Sequence, residues 1–145
     1  MATRTARTAW NGSIQEGSGQ VELTSSGVGT FDVSFPKRTA DTADGTTSPE
    51  ELIAAAHTSC YAMALSAEVG RAGGTVQSLD VKADVTLASD PAGGFRISEI
   101  ALTVRAEVEG LDASGFEEAA QAAKTGCPVS KALTGTTITL DAALD

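Results

Sequence analysis

The sequence predicts a single α+β domain over residues 1–145, with its elements in the order βββ-α-ββ-α-β. Three observations lead to this fold class. Short alternating segments separated by glycines open the chain, a long apolar segment without breakers follows Pro49, and two long alternating segments flank a Pro-Ala-Gly-Gly turn. A doubly wound parallel sheet would instead alternate strand and helix regularly along the chain.

The first three strands are predicted at 8–15, 19–25 and 29–35, where apolar and polar residues alternate between glycines. They form a meander of strands and turns. The polar segment 36–47 follows and is predicted to be a loop, because it has too few apolar residues to enter a core. Loops of this length are usually functional or disordered.

A long central helix is predicted to start at Ser48. Ser48 suits the N-cap, Pro49 the first helical position, and Glu51 completes a capping box with Ser48. No breaker occurs before Gly70, and the residues between are apolar almost all round the helix. A helix buried on every side needs two layers of cover, and one short chain supplies about one. We therefore expect a homodimer that packs two such helices together.

The remaining strands are predicted at 76–90 and 95–110, which form a β-hairpin, and at 136–142.

A second helix is predicted between the hairpin and the last strand. Ser114 and Glu117 form a capping box at its start, and Gly126 is its predicted C-cap. Cys127 comes next, and Pro128 then opens a short helical turn.

Composition restricts the partners and the compartment. The chain has 10 Lys+Arg against 19 Asp+Glu and a net charge of −9, which disfavours nucleic acid and anionic membranes because phosphates would be repelled. No run approaches the ~20 apolar residues that span a bilayer, and the N-terminal segment lacks the apolar region of a signal peptide. We therefore expect a cytoplasmic protein whose two cysteines are inert, metal-bound or redox-active.

The two cysteines are the candidate reactive residues. Cys60 lies inside the central helix, where a free cysteine often serves only as a small apolar residue. Cys127 faces the free amide groups of a new helix, a position that can favour a thiolate. Together they suit the roles of attacking and resolving thiol. Two cysteines, one histidine and no Cys-x-x-Cys argue against a zinc site and a thioredoxin-type motif.

His57 precedes Cys60 by three residues and lies on the same helical face. It either pairs with a Cys60 thiolate or is a core histidine bonded to another partner, and the second interpretation is favoured.

The segments "SPEELIAAAHTSCYAMALS" and "GCPVSKAL" resemble the osmotically inducible protein C / organic hydroperoxide resistance (OsmC/Ohr) family of thiol peroxidases. The resemblance covers essentially the whole chain, and His57 with an arginine in the 36–47 loop resembles the OsmC branch more than the Ohr branch. It implies an intertwined homodimer that reduces organic hydroperoxides to alcohols and protects against oxidative and osmotic stress. It also implies no bound cofactor and an external thiol or dithiol reductant.

The resemblance further implies the roles of four residues. Cys60 matches the peroxidatic cysteine, which becomes a sulfenic acid, and Cys127 matches the resolving cysteine, which closes an intramolecular disulfide with it. Arg38 matches the arginine that stabilises the thiolate, and Glu50 matches its partner carboxylate. A fixed cation beside a thiol of pKa ~8.5 favours the thiolate.

Two neighbours compete for these roles. Lys37 lacks the bidentate fork with which Arg38 can hold a carboxylate, and Glu51 is already assigned to the capping box. A helical rise of about 15 Å separates Glu50 from Cys60. Glu50 is therefore expected to act on Cys60 of the other subunit, or through a mobile Arg38 loop.

Two other functions stay open at this stage. The first is a thiol redox sensor or binding protein that uses the same disulfide as a signal, although no DNA-binding element or basic patch is evident. The second is a non-catalytic α+β dimer with inert cysteines.

Overall fold

A computed structural model describes all residues, Met1–Asp145, and the chain divides into two compact units, Met1–Leu52 and Ile53–Asp145. The predicted α+β class and the predicted order of strands and long helices are confirmed. The assignment of the whole chain to a single domain stays a prediction. No helix has both the length and the apolar character needed to cross a membrane.

The first unit contains the predicted meander. Strands β1 (Arg7–Asn11), β2 (Ser18–Glu22) and β3 (Thr30–Val33) form an antiparallel sheet in the order β1-β2-β3. Gly19 of β2 pairs with Trp10 of β1. A Cβ at Gly19 would lie 2.5 Å from the Ala9 carbonyl oxygen, so only glycine allows the two strands to approach here.

The predicted 36–47 loop begins as a helical turn, which corrects the sequence-based prediction. Helix α1 (Phe35–Arg38) has Ser34 as its N-cap, and the Ser34 hydroxyl accepts a hydrogen bond from the Lys37 amide at 3.3 Å. Pro36 stands in the first helical turn, where its missing N–H costs nothing. Ser34 and Pro36 thus supply the same start signals that were recognised for the central helix.

The central helix α2 spans Pro49–Arg71, and its predicted start is confirmed. The Ser48 hydroxyl accepts a hydrogen bond from the Glu51 amide at 3.2 Å. The predicted capping box is nevertheless only half formed, because the Glu51 carboxylate accepts a hydrogen bond from the Thr47 hydroxyl at 2.6 Å. The helix also passes Gly70, which causes no break.

Within the second unit, α2 buries one face only. The residues that are fully buried recur at every fourth position: His57, Tyr61, Leu65 and Val69. The opposite side carries mainly small residues and Met63, which is 72% exposed. This agrees with the expectation that a single chain supplies about one layer of cover, which meets only one face of a helix. The homodimer that would cover the other face stays a prediction.

The second unit is built on a three-stranded sheet. Strands β4 (Thr75–Ser89) and β5 (Phe95–Glu109) form the predicted antiparallel hairpin, and β6 (Thr137–Leu144) pairs with β5 in parallel. A parallel partner requires a crossover connection, which the segment between β5 and β6 provides. The central strand β5 buries every second residue against the helices: Ile100, Leu102, Val104 and Ala106.

Helix α3 (Ala113–Gly126) forms most of this crossover and is followed by the short helix α4 (Pro128–Ala132). Its N-cap is Asp112, whose carboxylate accepts a hydrogen bond from the Gly115 amide at 2.7 Å, so the predicted cap at Ser114 is wrong. A carboxylate competes well for this position because it also meets the positive end of the helix dipole. The predicted C-cap is one residue early as well, since Cys127 ends α3 and caps α4.

The packing of α3 leads to a stability prediction. Phe116 on α3 is 1% exposed within the core, and Phe116→Ala is expected to lower the free energy of unfolding by about 3–5 kcal/mol. Glu118→Ala, on the exposed face of the same helix, is the control and should change it by less than about 0.5 kcal/mol. Urea denaturation at equal protein concentration measures both. Similar losses for the two variants would contradict the assignment of the core face.

Candidate active site

Cys60 and Cys127 are free thiols in the second unit, and they lie close enough for each side chain to shift the pKa of the other. Their accessibility differs. Cys60 is partly exposed, whereas Cys127 is fully buried. A reagent in solution can therefore meet the Cys60 sulfur first.

The backbone holds Cys127 firmly on both sides. Its amide donates to the Ala123 carbonyl at 2.8 Å, which closes α3, and its carbonyl accepts from the Lys131 amide at 3.0 Å, which opens α4. Pro128 supports this sharp junction because it is preorganised for the first position of a helix.

The surroundings of Cys127 favour a thiolate. Burial by itself raises the pKa of Cys127, but the Ser130 amide, the Cys60 thiol, the Ser130 hydroxyl and the Val129 amide together outweigh it and lower the pKa below its ordinary value. The sulfur makes no cap hydrogen bond with α4, so the amides of the first turn act on it through their partial positive charge.

The surroundings of Cys60 act in the opposite direction. Burial raises the pKa of the Cys60 thiol, the Val129 amide lowers it in part, and the hydrogen bond and charge of Cys127 raise it further. The groups that act on this sulfur, Val129 and Cys127, bring no positive charge. In the reduced pair, Cys60 is thus the thiol that keeps its proton more readily, and Cys127 is the one that releases it more readily.

His57 lies on the same helix in the core, and its Nε2 is 2.7 Å from the Ser130 hydroxyl oxygen. This agrees with the favoured interpretation of His57 as a core histidine with a side-chain partner. Burial lowers the pKa of His57, which keeps the ring neutral near neutral pH.

Arg38 and Glu50 form a bidentate ion pair in the first unit. The Arg38 Nη2 lies 2.7 Å from Glu50 Oε1, and Nε lies 3.1 Å from each carboxylate oxygen. The Glu50 side chain is only 9% exposed. Lys37 pairs instead with Asp44 in an exposed ion pair at 2.8 Å. The structure thus brings Arg38, and not Lys37, to the predicted carboxylate.

An apolar cavity of about 420 Å³ adjoins Arg38 in the first unit. Its walls come from the meander, from α1 and from the start of α2, and its larger apolar residues are Trp10, Ile14, Val21, Val33, Phe35 and Leu52. A polar cavity of about 480 Å³ also lies in this unit but is lined by none of the predicted site residues. The apolar cavity, unlike the polar one, combines a charged side chain of the predicted site with room for a small organic group.

The four predicted site residues thus form two pairs, Arg38 with Glu50 in the first unit and Cys60 with Cys127 in the second. Sequence reasoning missed Ser130. The sequence does contain a signal for Ser130: it follows Cys127 by three residues, so the two residues stand in one helical turn. The cavity has no comparable signal, because its walls come from strands whose pairing and side-chain orientation the sequence alone did not give.

These features define an α+β protein with a paired-thiol site, and comparison with known proteins identifies its family. A family model described as OsmC-like protein matches residues 42–141. Peroxiredoxin OsmC of Escherichia coli is 45% identical over 132 residues, which cover 91% of this chain and 90% of that protein. The chain belongs to the OsmC-like family, and the predicted class of enzyme, a thiol-dependent peroxidase, is confirmed.

Solved structures agree with this membership. The organic hydroperoxide resistance protein OhrB of Bacillus subtilis has a TM-score of 0.74 and 29% identity, covering 95% of this chain and 97% of that chain. An organic hydroperoxide resistance protein from Elizabethkingia anophelis has a TM-score of 0.78 and 24% identity, and the match covers 99% of this chain and 99% of that chain. At this identity the comparison shows a shared fold alone.

The ion pair of the first unit leads to a second stability prediction. Glu50→Gln leaves the Arg38 guanidinium without its charged partner, which costs about 1–2 kcal/mol of unfolding free energy after allowance for solvent around Arg38, 31% exposed. Asp44→Asn is the matched control: it removes the exposed partner of Lys37, and asparagine tolerates the positive φ of 48° at this position. The control should leave stability unchanged within error. Equal losses in urea denaturation would contradict a special role for the Arg38–Glu50 pair.

Proposed function

We propose that the protein reduces organic hydroperoxides to alcohols, with Cys60 as the peroxidatic thiol and Cys127 as the resolving thiol. The observation that carries this proposal is the pairing of two free thiols of unequal accessibility, each of which shifts the pKa of the other. A hydroperoxide can approach the partly exposed Cys60, while the buried Cys127 is already placed to attack whatever forms on it.

The proposed cycle has three balanced steps. The Cys60 thiolate attacks the O–O bond of a hydroperoxide, which gives the Cys60 sulfenic acid and, after proton uptake, an alcohol. Cys127 then displaces the oxygen of the sulfenic acid as water and closes the Cys60–Cys127 disulfide. An external thiol or dithiol reduces that disulfide and is itself oxidised to a disulfide. No bound cofactor takes part, and we place the cycle in the cytoplasm as a defence against oxidative and osmotic stress.

The proposal requires a cation for Cys60. Burial raises the pKa of its thiol, and no cation acts on its sulfur within the chain as described. A peroxidatic cysteine needs the thiolate at neutral pH, which an adjacent guanidinium can supply. Arg38 is the candidate, because Glu50 holds its planar side chain in one orientation through two of its nitrogens.

The apolar cavity supports an organic substrate over hydrogen peroxide. A cavity of about 420 Å³ with mainly apolar walls stabilises an alkyl or aryl group by removing it from water, and Arg38 on its wall can bind the polar hydroperoxide end. Hydrogen peroxide has no such group and gains nothing from this surface.

We further propose that the enzyme is an intertwined homodimer in which Glu50 completes the site of the opposite subunit. Helix α2 runs without a break from Pro49 to Arg71, so Glu50 and Cys60 are separated by a rise of about 15 Å. A glutamate side chain cannot bridge that distance. The exposed side of α2, with its small residues and Met63, is the surface that a second subunit would cover.

Turnover of tert-butyl hydroperoxide with a dithiol reductant tests the central proposal. Cys60→Ser is expected to reduce turnover to background, because serine has no accessible anion at neutral pH. Cys127→Ser should permit one oxidation and then stall or over-oxidise beyond the sulfenic acid. Mass spectrometry should find a Cys60–Cys127 disulfide in the wild type after stoichiometric hydroperoxide. Appreciable turnover by Cys60→Ser, or a Cys60–Cys60 bond between subunits, contradicts the assignment.

A mixed dimer tests whether Glu50 acts in trans. One chain carries Cys60→Ser and the other Glu50→Gln, with different affinity tags for purification. If Glu50 acts in trans, the intact Cys60 receives an intact Glu50 from its partner, so mixed dimers regain roughly half of the wild-type activity while both parent homodimers stay low. Impaired parents with no recovery on mixing rule out the trans arrangement. Fully active Glu50→Gln homodimers remove Glu50 from the site.

A further inference from the structure

His57 is a buried titratable side chain that the proposed cycle does not use. It is 0% exposed, and its Nε2 is 2.7 Å from the hydroxyl oxygen of Ser130, 73 residues later in the chain. Its other ring nitrogen, Nδ1, is buried and has no hydrogen-bond partner in the protein. A buried polar atom without a partner is uncommon, so this arrangement requires an explanation.

The unpaired Nδ1 atom determines which tautomer of His57 is present. Burial lowers the pKa of His57, so the ring is neutral and carries one N–H. A proton on Nδ1 would leave a buried N–H without an acceptor, and orphaned buried donors are especially rare. The proton therefore lies on Nε2 and is donated to the Ser130 oxygen.

The tautomer in turn orients the Ser130 hydroxyl. Because its oxygen accepts from His57, its own proton is available to a second partner. The buried Cys127 stands three residues before Ser130 in the same helical turn, and the Ser130 hydroxyl lowers the pKa of its thiol, so the Cys127 sulfur is the partner in reach. Ser130 is itself 5% exposed, so water does not compete strongly for the hydroxyl. The result is a directed chain of donors from the His57 ring through Ser130 to Cys127.

We propose that His57 is a positioning residue for disulfide formation: it fixes the Ser130 hydroxyl so that its proton points at the Cys127 sulfur and prepares that sulfur to attack oxidised Cys60. The inference rests on the proposed function, since it assigns Cys127 the resolving step. In that step the S–S bond forms, the S–O bond of the sulfenic acid breaks, and the departing hydroxide takes up the proton that Cys127 has released. The Ser130 proton stays on its oxygen throughout.

The other titratable groups near Cys127 cannot take over the role of the His57–Ser130 pair. On α2 they are Cys60 and Tyr61, and on α3 Glu117 acts on Tyr61. Burial, then the charges of Glu117 and Cys127, raises the pKa of Tyr61, so its phenol stays neutral and donates to the Ala120 carbonyl at 2.9 Å. Once Cys60 is replaced, Cys127 is the group whose ionisation near neutral pH reports on Ser130.

The test is a titration of Cys127 by thiolate absorbance in a Cys60→Ser protein. Ser130→Ala is expected to raise the pKa of Cys127 by about one unit, and Ser130→Thr, which keeps the hydroxyl, should restore it. His57→Leu should shift it in the same direction, and His57→Gln, whose side-chain N–H can replace the ring N–H, should restore it. Ser66→Ala, an exposed serine of α2, is the matched control and should cause no shift.

The same substitutions with Cys60 intact test the chemical step. Ser130→Ala and His57→Leu should close the disulfide about 3-fold more slowly after stoichiometric hydroperoxide, because a lower thiolate fraction is partly offset by greater nucleophilicity. More Cys60 should then reach the sulfinic acid. If the His57–Ser130 pair had only a structural role, these substitutions would change thermal stability alone.

Unchanged Cys127 ionisation and disulfide rate in both Ser130→Ala and His57→Leu would overturn the proposal. If Ser130→Ala does not fold, the comparison of glutamine with leucine at His57 decides the matter by the same two measurements. The titration needs no turnover. A failure of the peroxidase proposal, seen as turnover by Cys60→Ser, is therefore distinguishable from a failure of this one.

Discussion

The contact between helix α2 and the α3–α4 junction is the constraint on which the thiol site depends. Three neighbouring side chains of α2 face it: His57 bonds to Ser130, Tyr61 donates to the Ala120 carbonyl, and Cys60 lies close enough to Cys127 to shift its pKa. Because His57 and Tyr61 are buried and one turn apart, they fix the rotation of the helix about its axis. Cys60, directly before Tyr61, is consequently turned toward the junction. The sulfur contact thus follows from core packing.

This packing gives the two sulfurs unequal and complementary environments. Access to a substrate requires exposure, whereas stabilisation of a thiolate by amides and hydroxyls is strongest where water is excluded. A single cysteine cannot be fully exposed to a substrate and fully shielded from water at the same time. Cys60 has the access, and Cys127 has the donors, so in the proposed cycle the pair would divide the requirements of attack and resolution between two residues. The same division would explain why the proposed peroxidatic role of Cys60 calls for a cation.

Much of this arrangement could be predicted from the sequence, and the failures have physical causes. The start of α2 was predictable because Ser48 and Pro49 act locally, on the backbone beside them. The start of α3 was missed because two good N-cap residues, Asp112 and Ser114, stand two positions apart. Their local chemistry does not show which of the two begins the helix. Which face of α2 a single chain buries could not be decided from the sequence, because alanines are apolar yet tolerate exposure.

The candidate site shows the same limit. The family resemblance identified Arg38, Glu50 and the two cysteines as candidates, because they stand in recognisable motifs. The contact between His57 and Ser130 joins residues 73 positions apart and depends on how α2 packs on the crossover helices. No local pattern encodes such a contact. The apolar cavity beside Arg38 depends in the same way on strand pairing.

The proposed role of Arg38 raises a last question, namely how an arginine whose charge is neutralised by Glu50 could favour a thiolate. The carboxylate engages only the N–H of Nε and one N–H of Nη2, so Nη1 and the second N–H of Nη2 remain as donors. Loss of Glu50 would then have two opposing effects. It would increase the net positive charge near the site, and it would release a half-exposed side chain to water. Hydrogen bonding to sulfur depends steeply on direction, whereas a solvated charge is screened, so the loss of orientation should prevail. In the proposed site, Glu50 would accordingly contribute geometry more than charge.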